Sequence, residues 1–81
     1  MKLFVAKLSF NTTAESLQAL FEQYGEVVSS KVIMDRETGR SKGYGFIEMT
    51  HDDDALMAIV ELNNSEFEGR EIVVKKSEPT N

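Results

Sequence analysis

The sequence predicts an α+β fold: a four-stranded antiparallel sheet with two helices on one face, in the order strand, helix, strand, strand, helix, strand. Three observations predict it. Leu17, Leu20, Phe21 and Tyr24 recur at i, i+3, i+4 and i+7, one stripe of an α-helix. Ala55, Ala58, Ile59 and Leu62 form a second such stripe. Before, between and after them lie segments rich in β-branched and aromatic residues, the clearest being 42–49, where side chains alternate between two faces. Two right-handed split βαβ units place the first and third strands side by side at the centre. Both helices then cover one sheet face and the other stays open.

Each element has its own signals. Residues 2–8 read as a strand with Leu3 and Val5 on one face and Phe4 on the other. Residues 9–12 connect it to a helix over 14–24, with Thr13 as N-cap, Glu15 near the positive helix end and Gly25 as the C′ residue. Val27 to Met34 is a second strand, followed by a charged turn segment, 35–41. The third strand covers 43–49. The second helix covers 53–62, capped by Thr50 or Asp52, with the acidic triplet Asp52–Asp53–Asp54 suited to a helix N-terminus. His51 is expected as a surface residue beside that cap. Residues 65–67 form a short extended piece, Gly69 turns the chain, and the last strand spans about 70–76. One domain is expected over 1–77, with 78–81 a short disordered polar tail.

Composition narrows the function classes. A chain of 81 residues hides about 60% of its unfolded surface, enough for one modest core. With no Cys, disulfides and thiol catalysis are excluded; with one His besides, no ordinary transition-metal site is expected, and a reducing, cytoplasmic compartment is. No apolar run approaches the roughly 20 residues of a membrane helix, so no membrane partner is expected. Gly39, Gly43 and Gly45 match no dinucleotide or phosphate-loop spacing, and the Asp triplet lacks the spaced pattern of a calcium loop. No cofactor, metal or catalytic group is expected.

The most informative stretch is Lys42–Gly43–Tyr44–Gly45–Phe46–Ile47–Glu48–Met49. Ile47 and Met49 suit a core. Tyr44 and Phe46 fall on the opposite face, two residue rises or roughly 7 Å apart. Aromatics facing away from a core make a stacking platform, because every nucleobase has a π-face. Lys42 at the strand's entry is placed to meet a phosphate.

This octamer resembles the longer signature of the RNA recognition motif family, K/R-G-F/Y-G/A-F-V-x-F/Y. Lys42 to Phe46 match outright, Ile47 stands in for Val, and Met49 replaces the final aromatic at a core-facing position. Leu3–Leu8 resembles the family's short hexamer, with Phe4 in the aromatic place and Lys7 where Asn is usual. The resemblance covers residues 2 to about 77 and is strongest toward small bacterial-type and glycine-rich-type members, with much of that likeness in 35–43. It implies a ferredoxin-like fold on which Phe4, Tyr44 and Phe46 converge on the open face. It implies single-stranded RNA as the partner; single-stranded DNA, which lacks the 2′-OH, is expected to bind less well. Lys42 and Arg40 are expected on phosphates, Lys7, Lys31 and Lys75 around the platform, and Glu48 with the rim of polar groups near ribose. Backbone groups near Lys76 and Ser77 are expected to read base edges.

A net charge of -5 runs against a nucleic-acid partner until the charges are placed. The expected helices carry Glu15, Glu22, Asp53, Asp54 and Glu61 and no base, while all 9 Lys and Arg lie in strands or loops. The alternative reading is a protein-interaction module on the same fold. Leu56, Met57 and Val60 fall off the inward stripe of the second helix and form its partner or weak-dimer surface; otherwise a monomer is expected. An acylphosphatase-like enzyme on a similar fold lacks its anion-cradling loop here.

Overall fold

In the computed structural model, which describes residues 1–77, strand β1 (Lys2–Ala6) sends Leu3 and Val5 into the core and leaves Phe4 half-buried on the other side. β1 ends two residues earlier than its sequence pattern predicts. Lys7 takes a left-handed conformation, φ 61°, that breaks the strand and lets buried Leu8 donate its N–H to the Gly43 carbonyl at 2.8 Å.

Helix α1 (Ala14–Glu22) starts from Thr13 as expected. The Ser16 N–H donates to Thr13 Oγ1 and the Thr13 N–H to Ser16 Oγ, both at 3.1 Å, a reciprocal cap worth about 1 kcal/mol. Leu17 and Phe21 are fully buried; Leu20 and Tyr24 pack at the core's edge. The helix stops before Tyr24, whose N–H donates to Phe21 O in a tighter turn. Gly25 is not left-handed and so is no C′ cap. It is small because a Cβ there would collide with the Asp54 side chain.

Strand β2 (Val27–Met34) turns through residues 35–40 into β3 (Ser41–Met49), which begins two residues before its expected start. In β3, Gly45, Ile47 and Met49 are buried, and Tyr44, Phe46 and Glu48 are half-buried on the opposite face. A side chain at Gly45 would strike the Lys31 carbonyl, so glycine here lets β2 lie close beside β3 in the sheet.

Helix α2 (Asp52–Leu62) starts one residue early, with His51 at the N-cap position and no side-chain cap. Neither Thr50 nor Asp52 caps it: the Thr50 N–H still bonds Glu26 O, and Asp52 is already helical. Three carboxylates in the first turn oppose the helix's positive end instead. Ala55, Ala58 and Leu62 are buried.

The expected last strand divides in two. β4 (Glu66–Phe67) and β5 (Arg70–Glu71) form a small hairpin around Glu68 and Gly69, φ 51° and 86°, the signature of a type I′ turn. Ile72 then drops into the core, and β6 (Val73–Lys76) rejoins the main sheet. The expected tail, 78–81, lies outside the described residues.

The main sheet has the order β2-β3-β1-β6 with every neighbour antiparallel, the ferredoxin-like arrangement the sequence predicts. One core lies between the helices and one sheet face: Leu3, Val5, Ile47, Met49, Ile72 and Val74 meet Leu17, Phe21, Ala55, Ala58 and Leu62. Among the described residues no helix covers the opposite face.

Candidate nucleic-acid interface

The open face is built by strand parity and completed by register. Phe4 is the Cα partner of Phe46 on one side and of Lys75 on the other, while Phe46 pairs with Lys31. A single line across four strands therefore reads Lys31, Phe46, Phe4, Lys75: two rings flanked by two cations. Adjacent strands lie about 4.8 Å apart, so the line is about as wide as a few stacked bases.

The three rings form one cluster. Phe4 lies 5.6 Å from Tyr44 and 5.5 Å from Phe46, at interplanar angles of 42° and 55°. Tyr44 and Phe46 meet edge to face at 6.3 Å and 89°. These separations are in the range where aromatic pairs attract, so each ring is held in place before any ligand arrives. Lys75 Nζ sits 5.4 Å from the Phe4 ring centroid, a cation–π contact worth about 0.5–1 kcal/mol at an exposed site.

Polar groups border the platform at both ends. Toward the Phe46 end, Glu48 pairs with Lys2 on β1 and Ser29 on β2. A broad cleft of about 780 Å³ lies there, lined by Lys2, Lys31, Phe46, Glu48, Lys76 and Ser77 among others. Toward the Tyr44 end, Lys7 and Lys42 line a smaller cleft of about 330 Å³ with Phe10 and Arg70. Ser77 donates its N–H to Lys2 O at 2.9 Å, which extends the β1–β6 ladder. Lys76 is exposed and pairs in register with Leu3, so its Cβ belongs to the helix side of the sheet edge, unlike Lys75.

Arg40 is exposed in the β2–β3 turn. The turn itself is ordered by Asp35, whose carboxylate accepts the Glu37 N–H at 2.8 Å and the Thr38 N–H at 3.3 Å. These two donors, Glu37 first, hold the Asp35 carboxyl below its usual range, with a further pull from the Lys42 charge. The Asp35 N–H donates to Arg40 O at 2.7 Å, so the turn sets where Arg40 and Lys42 start.

Of the residues the sequence singled out, Phe4, Lys31, Tyr44, Phe46, Glu48 and Lys75 come together on the open face. Lys7 and Lys42 stand at its Tyr44 end, Lys76 and Ser77 at the opposite corner, and Arg40 in the turn beyond. Sequence reasoning missed Phe10 and Arg70. A phenylalanine inside a polar connector was the available signal for the first; Arg70 reaches the site only through the β4–β5 hairpin. The charges divide as the sequence predicts. Among the described residues both helices carry acids and no base, now including Asp52.

Comparison with known proteins agrees with this fold. The RNA recognition motif profile matches residues 3–73, most of the chain. The chain belongs to the RNA recognition motif family. It is 44% identical over 77 residues to a maize protein described as a glycine-rich RNA-binding, abscisic acid-inducible protein, covering 95% of this chain and 49% of that one. It is 43% identical over 79 residues to the putative RNA-binding protein RbpB of Nostoc, covering 98% and 77%. The chain thus spans about half the length of the maize relative. A solved structure described as RNA-binding protein PG1 superposes with a TM-score of 0.94 at 46% identity, covering 100% of this chain and 98% of that one.

Proposed function

We propose that this chain binds single-stranded RNA with loose sequence specificity, as a one-domain module over residues 1–77. The observation that carries the reading is the line Lys31, Phe46, Phe4, Lys75 beside Tyr44, on a sheet face that no helix among the described residues covers. Bases stack on the rings, each contributing about 1–3 kcal/mol. Phosphates meet Lys42, Arg40, Lys7 and Lys31. A base arriving over Phe4 displaces the Lys75 ammonium from the ring toward the strand's phosphates. Two or three stacks, after the cost of association, leave an affinity near micromolar, about 8 kcal/mol. The module works as a monomer in a reducing, cytoplasmic compartment and performs no catalysis. No helix among the described residues is long and apolar enough to cross a membrane.

Stacking alone does not distinguish sugars, since DNA and RNA bases present the same π-faces. Discrimination comes from contacts to the 2′-OH, for which Glu48, Lys31, Lys75 and Ser77 border the platform. Duplexes keep their bases inside the helix, away from Phe4 and Tyr44. The expected order is single-stranded RNA, then single-stranded DNA of the same sequence about 1 kcal/mol weaker, the scale of one net hydrogen bond, then either duplex. Titration of matched oligonucleotides at one salt concentration tests it. Duplex binding as tight as single-strand binding refutes the platform.

The second reading, a protein-interaction module, draws on α2, where Leu56, Met57 and Val60 are 48%, 53% and 75% exposed. Scattered surface apolar residues are ordinary, and the intact aromatic cluster favours RNA.

A further inference from the structure

Glu48 is the one acid in the four strands of the main sheet. It stands two residues beyond Phe46 on the same face of β3, roughly 7 Å along the strand. Its register partners are Lys2 on β1 and Ser29 on β2. A second row therefore crosses the sheet beside the aromatic one and reads Ser29, Glu48, Lys2. Cβ atoms directly opposed across strands lie about 4.5–5.5 Å apart. These three side chains and the Phe46 ring thus border one end of the 780 Å³ cleft.

The carboxylate there is uncommitted. Glu48 is half-buried, and among the described residues no hydrogen bond or ion pair engages its carboxylate. The cleft's other carboxylate, Asp52, lies 3.4 Å from the Met1 amine. An ionised carboxylate only accepts hydrogen bonds, a lysine ammonium only donates them, and a serine hydroxyl does both. The row accordingly offers a charged acceptor between two donors. On a face that meets a polyanion, an acid works against phosphate attraction, so its use lies with a group that donates.

A base laid over the Phe46 ring extends an edge toward this row. Guanine alone among the four bases carries two adjacent donors on its Watson–Crick edge, N1–H and N2–H, with the acceptor O6 beside them. A carboxylate takes both N–H groups in one charge-assisted bidentate pair. Adenine and cytosine set a single amino donor beside a ring-nitrogen acceptor, which a carboxylate repels. Uracil flanks its N3–H with two carbonyl oxygens, which repel it as well. We propose that Glu48 is a specificity-determining residue that selects guanine for the base stacked on Phe46, with the Ser29 and Lys2 donors beside it serving O6. The proposal rests on the RNA-binding reading above and assigns a base to one position of an otherwise loosely specific footprint. Ribose contacts are left to Lys31, Lys75 and Ser77.

The test uses fluorescein-labelled octauridine and octamers in which one central uridine is replaced by guanosine, adenosine, cytidine or inosine, titrated by anisotropy at one salt concentration. Wild type is expected to bind the guanosine strand about 5- to 150-fold more tightly than the adenosine, cytidine or all-uridine strands, the discrimination of one bidentate side chain–base pair. Inosine lacks the N2 amino group and is expected to lose most of that preference. In Glu48→Gln, whose amide offers one acceptor and places a donor where the second oxygen was, the guanosine preference is expected to shrink to within about twofold. The readout is a ratio between strands on one variant, so a general change in affinity or folding does not produce it; a melting temperature equal to wild type confirms the fold. No guanosine preference in wild type, an inosine strand bound as tightly as the guanosine strand, or a preference that persists in Glu48→Gln overturns the assignment. Unchanged RNA affinity in the double variant Tyr44→Ala/Phe46→Ala overturns the RNA-binding reading itself and the assignment with it.

Discussion

Phe46 and Ile47 are sequence neighbours in β3 with opposite surroundings. Ile47 is fully buried among Leu3, Phe21 and Ala58, while Phe46 lies half-exposed between Lys31 and Phe4. The two faces of the sheet differ in the same way. The helix face is closed and apolar, and its side chains act on stability. The open face leaves three rings partly uncovered, although fully burying one large apolar side chain is worth about 1.5–3 kcal/mol. The sheet forgoes part of that burial and borders the exposed rings with Lys31 and Lys75, which supports the proposed RNA platform. Alternation alone gives one strand two faces, with buried residues at the odd numbers 45, 47 and 49 and half-buried ones at 44, 46 and 48.

Substitution on each face separates these roles. Replacing Tyr44 and Phe46 together by Ala should weaken RNA binding by about 2–6 kcal/mol, two stacks, with circular dichroism unchanged. Native-like RNA affinity in a folded double variant would collapse the distinction between the faces. Ile47→Ala should do the reverse. It opens a cavity in the core and should cost about 2–5 kcal/mol of stability in urea unfolding, while RNA affinity below the transition stays near wild type. A loss of affinity in the folded Ile47 variant would mean that the core also tunes the platform.

The remaining tests sharpen how the open face uses charge. With about three phosphate contacts, log affinity against log salt should have a slope near -2, so a fourfold rise in salt weakens binding about 16-fold, ~1.6 kcal/mol. A slope near zero in a salt titration would remove Arg40 and Lys42 from phosphate contact. The smallest effect concerns Asp35. Its folded-state pKa lies below its unfolded value, so its contribution is present above the ordinary carboxylate pKa and is lost as pH falls through the lowered one. Amide exchange at Glu37 and Thr38, observed by NMR, should therefore accelerate only at the acid end of the range. Asp35→Asn should shift the Arg40 and Lys42 resonances while leaving those of Phe4 and Phe46 in place.

Much of this architecture was legible locally. The stripes at Leu17, Phe21, Ala55 and Ala58 named the buried helix faces because helical spacing is a property of the chain itself. Alternation at 44–49 named which ring points where for the same reason. The same local signals misplaced several ends. Residues 70–76 read as one strand, since nothing in Arg-Glu-Ile-Val-Val marks the point where Ile72 leaves one hairpin for the core. Tyr24 read as helical because its spacing fits the stripe, although its backbone had already tightened into a turn. Thr50 read as a cap because its hydroxyl suits one, but the helix begins at Asp52 with His51 at the N-cap, which leaves Thr50 one residue outside.

Local patterns in the chain set the kinds of side chain on each face, the order of the six main elements and the segregation of acids to helices and bases to strands and loops. These follow from periodicities of two and 3.6 residues, which need no knowledge of what each element packs against. Only the tertiary structure decided the line Lys31, Phe46, Phe4, Lys75 and the meeting of Phe10, Lys42 and Arg70 around one cleft. Those groupings join residues from segments far apart in the chain. Their register is set by strand pairing and by how the helices seat on the sheet, and a slip of one residue would have sent every ring to the other face.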